Sequence, residues 1–174
     1  MEPAGTAPVA RESFWRRRIT GPVRRQLTLG VTPDRLAVTF AVGTVCSLFP
    51  FLGFTSLLNL GVGLAFRLNQ PVLQTLNQLL GPVQLALILV YVRAGEVVWG
   101  ASGQPFTIGE MLTAFRDSSV PEFLARFGWA GVHAFTAWLL TAPLLAAAVY
   151  LPSRPLLRRA AARLSAASAA PAGA

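Results

Sequence analysis

Charge is what this sequence has least of. Of 174 residues only 13% are Asp, Glu, Lys or Arg, about half of the roughly 25% that a soluble domain carries. That leaves too little charge to cover a water-facing surface, which excludes a soluble enzyme, a disordered protein and a free DNA-binding domain. Lysine is missing altogether, and all 15 basic residues are Arg. With one His and seven acidic residues, there is little material for acid–base chemistry. Cys46 is the only cysteine, so neither an intrachain disulfide nor a Cys-based metal site can form. The chain also lacks a Ser or Cys beside a plausible base and a Gly-rich phosphate loop ending in Lys. No catalysis, metal or cofactor is expected. Residues 1–30 hold no apolar stretch before a small-residue cleavage site, so insertion is expected to rest on internal segments.

What is abundant is apolar. Hydrophobic residues make up 53% of the chain, and the mean hydropathy is +0.54. The expected fold is therefore an all-α integral membrane protein. Leu36 to Phe66 is 31 residues without a formal charge, long for one span and short for two, since a spanning helix needs about 20. Phe49-Pro50-Phe51-Leu52-Gly53 lies near its middle. Pro breaks a helical ladder and Gly permits a turn. The segment 36–66 is expected to be a short helical hairpin, re-entrant or strongly tilted, with its Pro50–Gly53 turn sheltered by protein or water. Two further transmembrane helices are expected at about 72–99 and 128–151, the second kinked at Pro143.

Signals for helix starts are clear. Thr32-Pro33-Asp34 supplies a cap, a Pro suited to the first helical position and an acid at the positive end of the dipole. Thr107-Ile108-Gly109-Glu110 and Ser119-Val120-Pro121-Glu122 have the capping-box pattern. Ile108, Met111, Leu112 and Phe115 follow the first at helical spacing, predicting an interfacial amphipathic helix. Arg93 and Glu96 are placed to pair. Around a membrane domain at 31–152, the sequence predicts a basic, partly disordered N-terminus over 1–30, with Phe14, Trp15 and nearby Arg at the headgroup level, and a basic, disordered C-terminal tail over 153–174.

Charge placement sets an expected orientation. Residues 1–35 contain seven Arg against three acidic residues, and 152–174 contain four Arg and none, whereas 93–126 holds three Arg against four acidic residues. By the positive-inside rule both termini face the cytoplasm of a bacterial cell with the protein multi-pass in the inner (plasma) membrane. A hairpin that returns to its starting side satisfies the even number of crossings this demands and leaves Arg67 on the cytoplasmic side.

One constellation carries chemistry. Arg67, Gln70, Gln74, Asn77, Gly81 and Gln84 are spaced 3, 4, 3, 4 and 3, one face of a continuous helix, although Pro71 and Pro82 interrupt it. Asn59 and Asn69 add amides, and Pro50 and Gly53 bring the hairpin turn towards the same region. A carboxamide in hydrocarbon without a partner costs several kcal/mol, about 2–7 by most references, so the row cannot face lipid. Either the amides bond across helices as structural glue, or they line a polar groove with Arg67 at its mouth. In the second reading Pro50, Gly53, Asn59, Arg67, Asn69, Gln70, Gln74, Asn77 and Gln84 form the binding site of a small polar or anionic species or a lipid headgroup. In the first the protein is a non-transporting scaffold or accessory subunit. The expected partners are membrane lipids and a second copy or a membrane subunit, because four hydrophobic arms enclose little volume. Nucleic acid is not expected. His133 and the Gly61/Gly63 pair read as packing residues.

The run Gly30 to Ala37, then Phe49-Pro50-Phe51-Leu52-Gly53-Phe54-Thr55, then Arg67-Leu68-Asn69-Gln70-Pro71, and finally Gln74 to Asn77 and Gly81 to Gln84 resembles the bacterial membrane family called domain of unknown function 2062. The resemblance covers about residues 14–100. It implies a polytopic bacterial inner-membrane protein and supplies no activity, substrate or catalytic residue. Many members have Asn-Pro where this chain has Gly81-Pro82.

Overall fold

A computed structural model describes residues 31–101, 103 and 106–169. The N-terminal segment 1–30, with its Phe14-Trp15 motif, lies outside the described residues, as do residues 170–174. Among the described residues there are five helices and no strand: α1 Pro33–Ser47, α2 Thr55–Ala65, α3 Gln70–Trp99, α4 Ile108–Asp117 and α5 Val120–Ala169.

Every start but that of α2, which has no side-chain cap, is fixed by a side chain that meets an orphan N–H. The Thr32 hydroxyl accepts from Arg35 N at 3.4 Å, and Asn69 Oδ1 accepts from Val72 N at 3.2 Å. At α4 the capping box is complete: Glu110 N donates to Thr107 Oγ1 at 3.2 Å and Thr107 N donates to Glu110 Oε2 at 2.7 Å. Ser119 N likewise donates to Glu122 Oε2 at 2.9 Å ahead of α5. The α1–α2 break falls where Pro50 and Gly53 predict it, with Gly53 at φ 81°, a backbone state that costs Gly little. A second break sits between α2 and α3, where Arg67 adopts φ 51° and Leu68 N reaches back to Gly63 O at 2.7 Å. α3 ends at Gly100, φ 62°.

The helices run up, down, up and down. α1 is parallel to α3, since Asn69 N meets Thr39 Oγ1 at 3.5 Å near one end and Gln84 Nε2 meets Phe49 O at 2.8 Å further up. α2 and α5 run antiparallel to both. At the lower end Asp34 accepts from Arg154 and Arg158, both at 2.8 Å, beside a cluster of Leu36, Ala37, Val72 and Leu157. Higher up, Trp138 Nε1 donates to Val45 O at 3.1 Å, and the Phe49 ring lies 4.9 Å from that of Trp138. The turn after α1 therefore reaches only the level of Gln84, the middle of the 30-residue α3. α1 has 15 residues and α2 has 11, about 22 Å and 16 Å at 1.5 Å per residue. Above the turn, α3 and α5 continue alone with α4 packed on them, around Ile88, Tyr91, Val92, Met111, Phe127 and Ala134. Trp99 and Trp129 flank the buried His133 there, and Arg93 pairs with Glu96 at 2.7 Å.

Two expectations are corrected. The sequence predicts a disordered tail from 153, but α5 runs unbroken through Pro143, Pro152 and Pro155 to Ala169. Leu157 in the lower cluster and the two guanidiniums on Asp34 hold that extension against α1. Pro71 does not interrupt α3 either. It sits in its first turn, where a missing N–H matters least, and α3 is continuous through Pro82.

Two contrasts test this packing. A Cβ at Gly95 would overlap the His133 backbone carbonyl, whereas nothing lies within 4 Å of one at Gly61. Gly95→Ala should destabilise the protein by about 1–3 kcal/mol, and Gly61→Ala should be neutral or stabilising by up to about 1 kcal/mol, read as thermal midpoints in detergent. The Arg158 and Arg154 guanidiniums, by hydrogen bonding, hold the Asp34 carboxyl below the usual carboxylate range. A depressed carboxylate contributes where it is ionised in both states and ceases to as pH falls through its lowered value. Protease resistance of the 154–165 stretch should thus be constant from pH 8 down to the ordinary Asp range and fall only below it. In Asp34→Asn it should be reduced throughout that constant range and converge with the wild type only where Asp34 itself is protonated.

Candidate functional site

The hairpin and α3 meet along a line of polar groups, and the geometry divides it in two. The inner part is buried and bonded, save for Asn59 Oδ1, which has no donor. Asn59 is fully buried. Its Nδ2 lies 3.2 Å from Ser47 Oγ, 3.0 Å from Thr55 O and 3.4 Å from Asn77 Oδ1. Asn77 Nδ2 donates to Ser56 Oγ at 2.8 Å. Gln84 Nε2 donates to Phe49 O at 2.8 Å, so it meets a carbonyl freed where α1 ends. Pro50 is buried in the turn beside this bond, whereas Gly53 is exposed. Asn59, Asn77 and Gln84 thus tie all three parts of the hairpin to α3.

The outer part is less engaged. Gln70 Nε2 donates to Leu60 O at 3.1 Å, but its buried Oε1 has no donor. Asn69 caps α3. Gln74 is half-buried and Arg67 is exposed; among the described residues neither has a hydrogen bond or an ion pair. Arg67 is also out of helical register with the row, because its left-handed backbone turns it away before α3 begins. The regular 3–4 spacing therefore places Gln70, Gln74, Asn77, Gly81 and Gln84 on one helix and leaves Arg67 in the turn before it.

Sequence spacing did not reveal the hydroxyls. Ser47 and Thr39 are fully buried or nearly so, and Thr55 is 7% exposed. Thr39 Oγ1 donates to Arg35 O at 2.8 Å and accepts from Asn69 N, linking the first turn of α1 to the cap of α3. A Ser or Thr near the end of a helix in an apolar run is the only local signal. Among the described residues the lower end carries Arg35, Arg67, Arg154, Arg158, Arg159 and Arg163 with Asp34 as its one carboxylate, paired with Arg154 and Arg158, while the upper end holds Arg93, Arg116 and Arg126 against Glu96, Glu110, Asp117 and Glu122. The Thr107 N–H and hydroxyl keep the Glu110 carboxyl below its ordinary range.

These features define a class: a small all-helical protein with a broken hairpin and two helices, α3 and α5, long and apolar enough to cross a membrane. The family described as an uncharacterized protein conserved in bacteria, DUF2062, matches residues 16–165, and the chain belongs to it. The match runs past the 14–100 region that carries the sequence resemblance, through α4 and most of α5. No curated protein and no solved structure matches the chain.

The division of the polar row is measurable. Asn77→Leu and Gln84→Leu each remove a bond to the hairpin, that to Ser56 Oγ or that to the Phe49 carbonyl, and should destabilise the protein by about 0.6–2 kcal/mol. Gln74→Leu removes no bond and should leave the thermal midpoint in detergent unchanged.

Proposed function

We propose that this chain is a non-catalytic, multi-pass protein of the bacterial inner membrane. Its re-entrant hairpin and α3 form a polar corner that binds a small anionic group, most simply a lipid headgroup phosphate. Both termini are cytoplasmic, so the Arg-rich end faces the leaflet where positive loops and anionic lipid meet. Because the hairpin stops halfway along α3, it enters and leaves on that same side. α3 and α5 cross, and α4, with Met111 and Ala114 inward and Leu112 and Phe115 exposed, lies at the opposite interface.

The observation that supports binding is the split in the row. Deep in the row the Asn59 nitrogen, Asn77 and Gln84 are bonded and only Asn59 Oδ1 lacks a partner, whereas Arg67, Gln74 and the Gln70 Oε1 atom at the rim retain unused capacity. Arg67 brings a fork suited to two phosphate oxygens, and Gln74 adds an amide. A second reading, a scaffold that holds a membrane partner, is favoured by the bonding of Asn59, Asn77 and Gln84 and by the exposed apolar face of α2, with Phe54, Leu57, Leu64 and Phe66 each at least 60% exposed.

Placement is tested by cysteine labelling in a Cys46→Ala background. Reagents confined to the outside should label a cysteine near residue 103 and spare those at 67 and 165. External labelling of position 67 would defeat the re-entrant placement. Binding is tested with vesicles of neutral and anionic lipid. Arg67→Ala should weaken association with anionic lipid about fivefold, from roughly 1 kcal/mol per basic residue at such a surface, with its thermal midpoint unchanged. Equal binding by the variant would favour the scaffold.

A further inference from the structure

We propose that the break in the hairpin is also a binding site for one monovalent cation, ligated by neutral oxygens of Ser47, Thr55, Asn59 and Asn77. The site is separate from the anion corner. Three helical elements build it: Ser47 is the last residue of α1, Thr55 the first of α2, and Asn77 lies about two turns into α3.

Asn59 carries the argument. It has no exposed surface, and one atom of its amide, Oδ1, has no hydrogen-bond partner. A buried polar atom left in this state costs about 1–3 kcal/mol, and native interiors rarely keep one without a reason. The other amide atom is crowded by acceptors: Thr55 O at 3.0 Å, Ser47 Oγ at 3.2 Å and Asn77 Oδ1 at 3.4 Å. An amide nitrogen has only two protons for those three oxygens. Nitrogen and oxygen of a carboxamide are interchangeable by a half-turn of the group. In the turned state the Asn59 oxygen stands about 3.0–3.4 Å from each of those three oxygens. Ligands at about 2.4 Å from one ion, set at right angles, lie about 3.4 Å apart. The three distances from Asn59 therefore match those between neighbouring ligands of a small cation.

The chemistry of the ligands limits the charge. All four are neutral, and among the described residues there is no group of three or more His, Cys, Asp or Glu that could hold a divalent metal. Amide, hydroxyl and carbonyl oxygens suit a hard, singly charged ion. The C-terminal end of α1, with its negative partial charge, closes on the same point. Backbone breaks paired with helix ends near the middle of a bundle are where membrane proteins place such ions.

The test uses the full chain in detergent, unfolded by heat in NaCl, KCl, LiCl and N-methyl-D-glucamine chloride at equal ionic strength. One alkali cation should raise the midpoint saturably, by roughly 5–10 °C at a hundredfold excess over its Kd, relative to N-methyl-D-glucamine. Ser47→Ala should weaken that cation at least tenfold while still folding in N-methyl-D-glucamine, and Asn59→Asp, which adds a charge at the same size, should tighten it. Arg67→Ala should leave the cation response intact, which separates this site from the anion corner. Identical midpoints in all four salts, as an ordered water alone would give, would overturn the proposal. So would a response seen only in Asn59→Asp, or one undiminished in Ser47→Ala.

Discussion

A carbonyl released by a broken helix must find a donor, and here the donor is a side chain on the neighbouring helix. Gln84 reaches Phe49 O at 2.8 Å at the level where α1 gives way to the Pro50–Gly53 turn. Without it, the hairpin could not stop where it does, because an apolar surrounding offers the freed backbone nothing. The Asn59–Asn77 contact acts one level lower. It ties α2, which otherwise buries only Thr55, Asn59 and Gly63, to a helix nearly three times its length. The remainder follows from these anchors. α1 is drawn parallel to α3, α2 is folded back outside them, and α5 closes the group from below through Asp34 and from above through Trp138.

Much of this was legible in the sequence, for local reasons. Pro50 and Gly53 mark the break because their backbone restrictions act wherever they stand. Thr32, Thr107 and Ser119 mark helix starts because caps are made within three residues. The 3–4 spacing from Gln70 to Gln84 identifies one helix face. What stayed hidden depends on distant chain. The ordering of 153–169 needs Asp34, about 120 residues away, and the apolar pocket of Leu36, Ala37 and Val72, while its local composition of Ala, Ser and Pro suggests a tail. Arg67 matched the spacing but not the conformation, because a single left-handed residue shifts register without altering the sequence pattern. Ser47, Thr55 and Ser56 became part of the polar line only once α1 and α2 were folded against each other.

The site reading depends on the same distinction. Spacing could show that the amides share a face, but not which of them were engaged. The structure separates Asn77 and Gln84, bonded across helices, from Gln74 and Arg67. The row thus divides into a bonded end and an unengaged end, a difference that its spacing alone does not carry.

The half-length hairpin also gives the molecule an uneven outline. Among the described residues, a section below the turn cuts four helices, α1, α2, α3 and α5, and one above it cuts α3 and α5, with α4 at the far rim. At about 10–12 Å per helix diameter, the lower half is wider than the upper by two helix cross-sections, on the order of 150–200 Å². In the proposed bilayer placement such a wedge takes more area from the leaflet facing the Arg-rich end than from the other. Many copies gathered together would bend the sheet convex towards that side, and single copies would concentrate where the membrane is already bent that way.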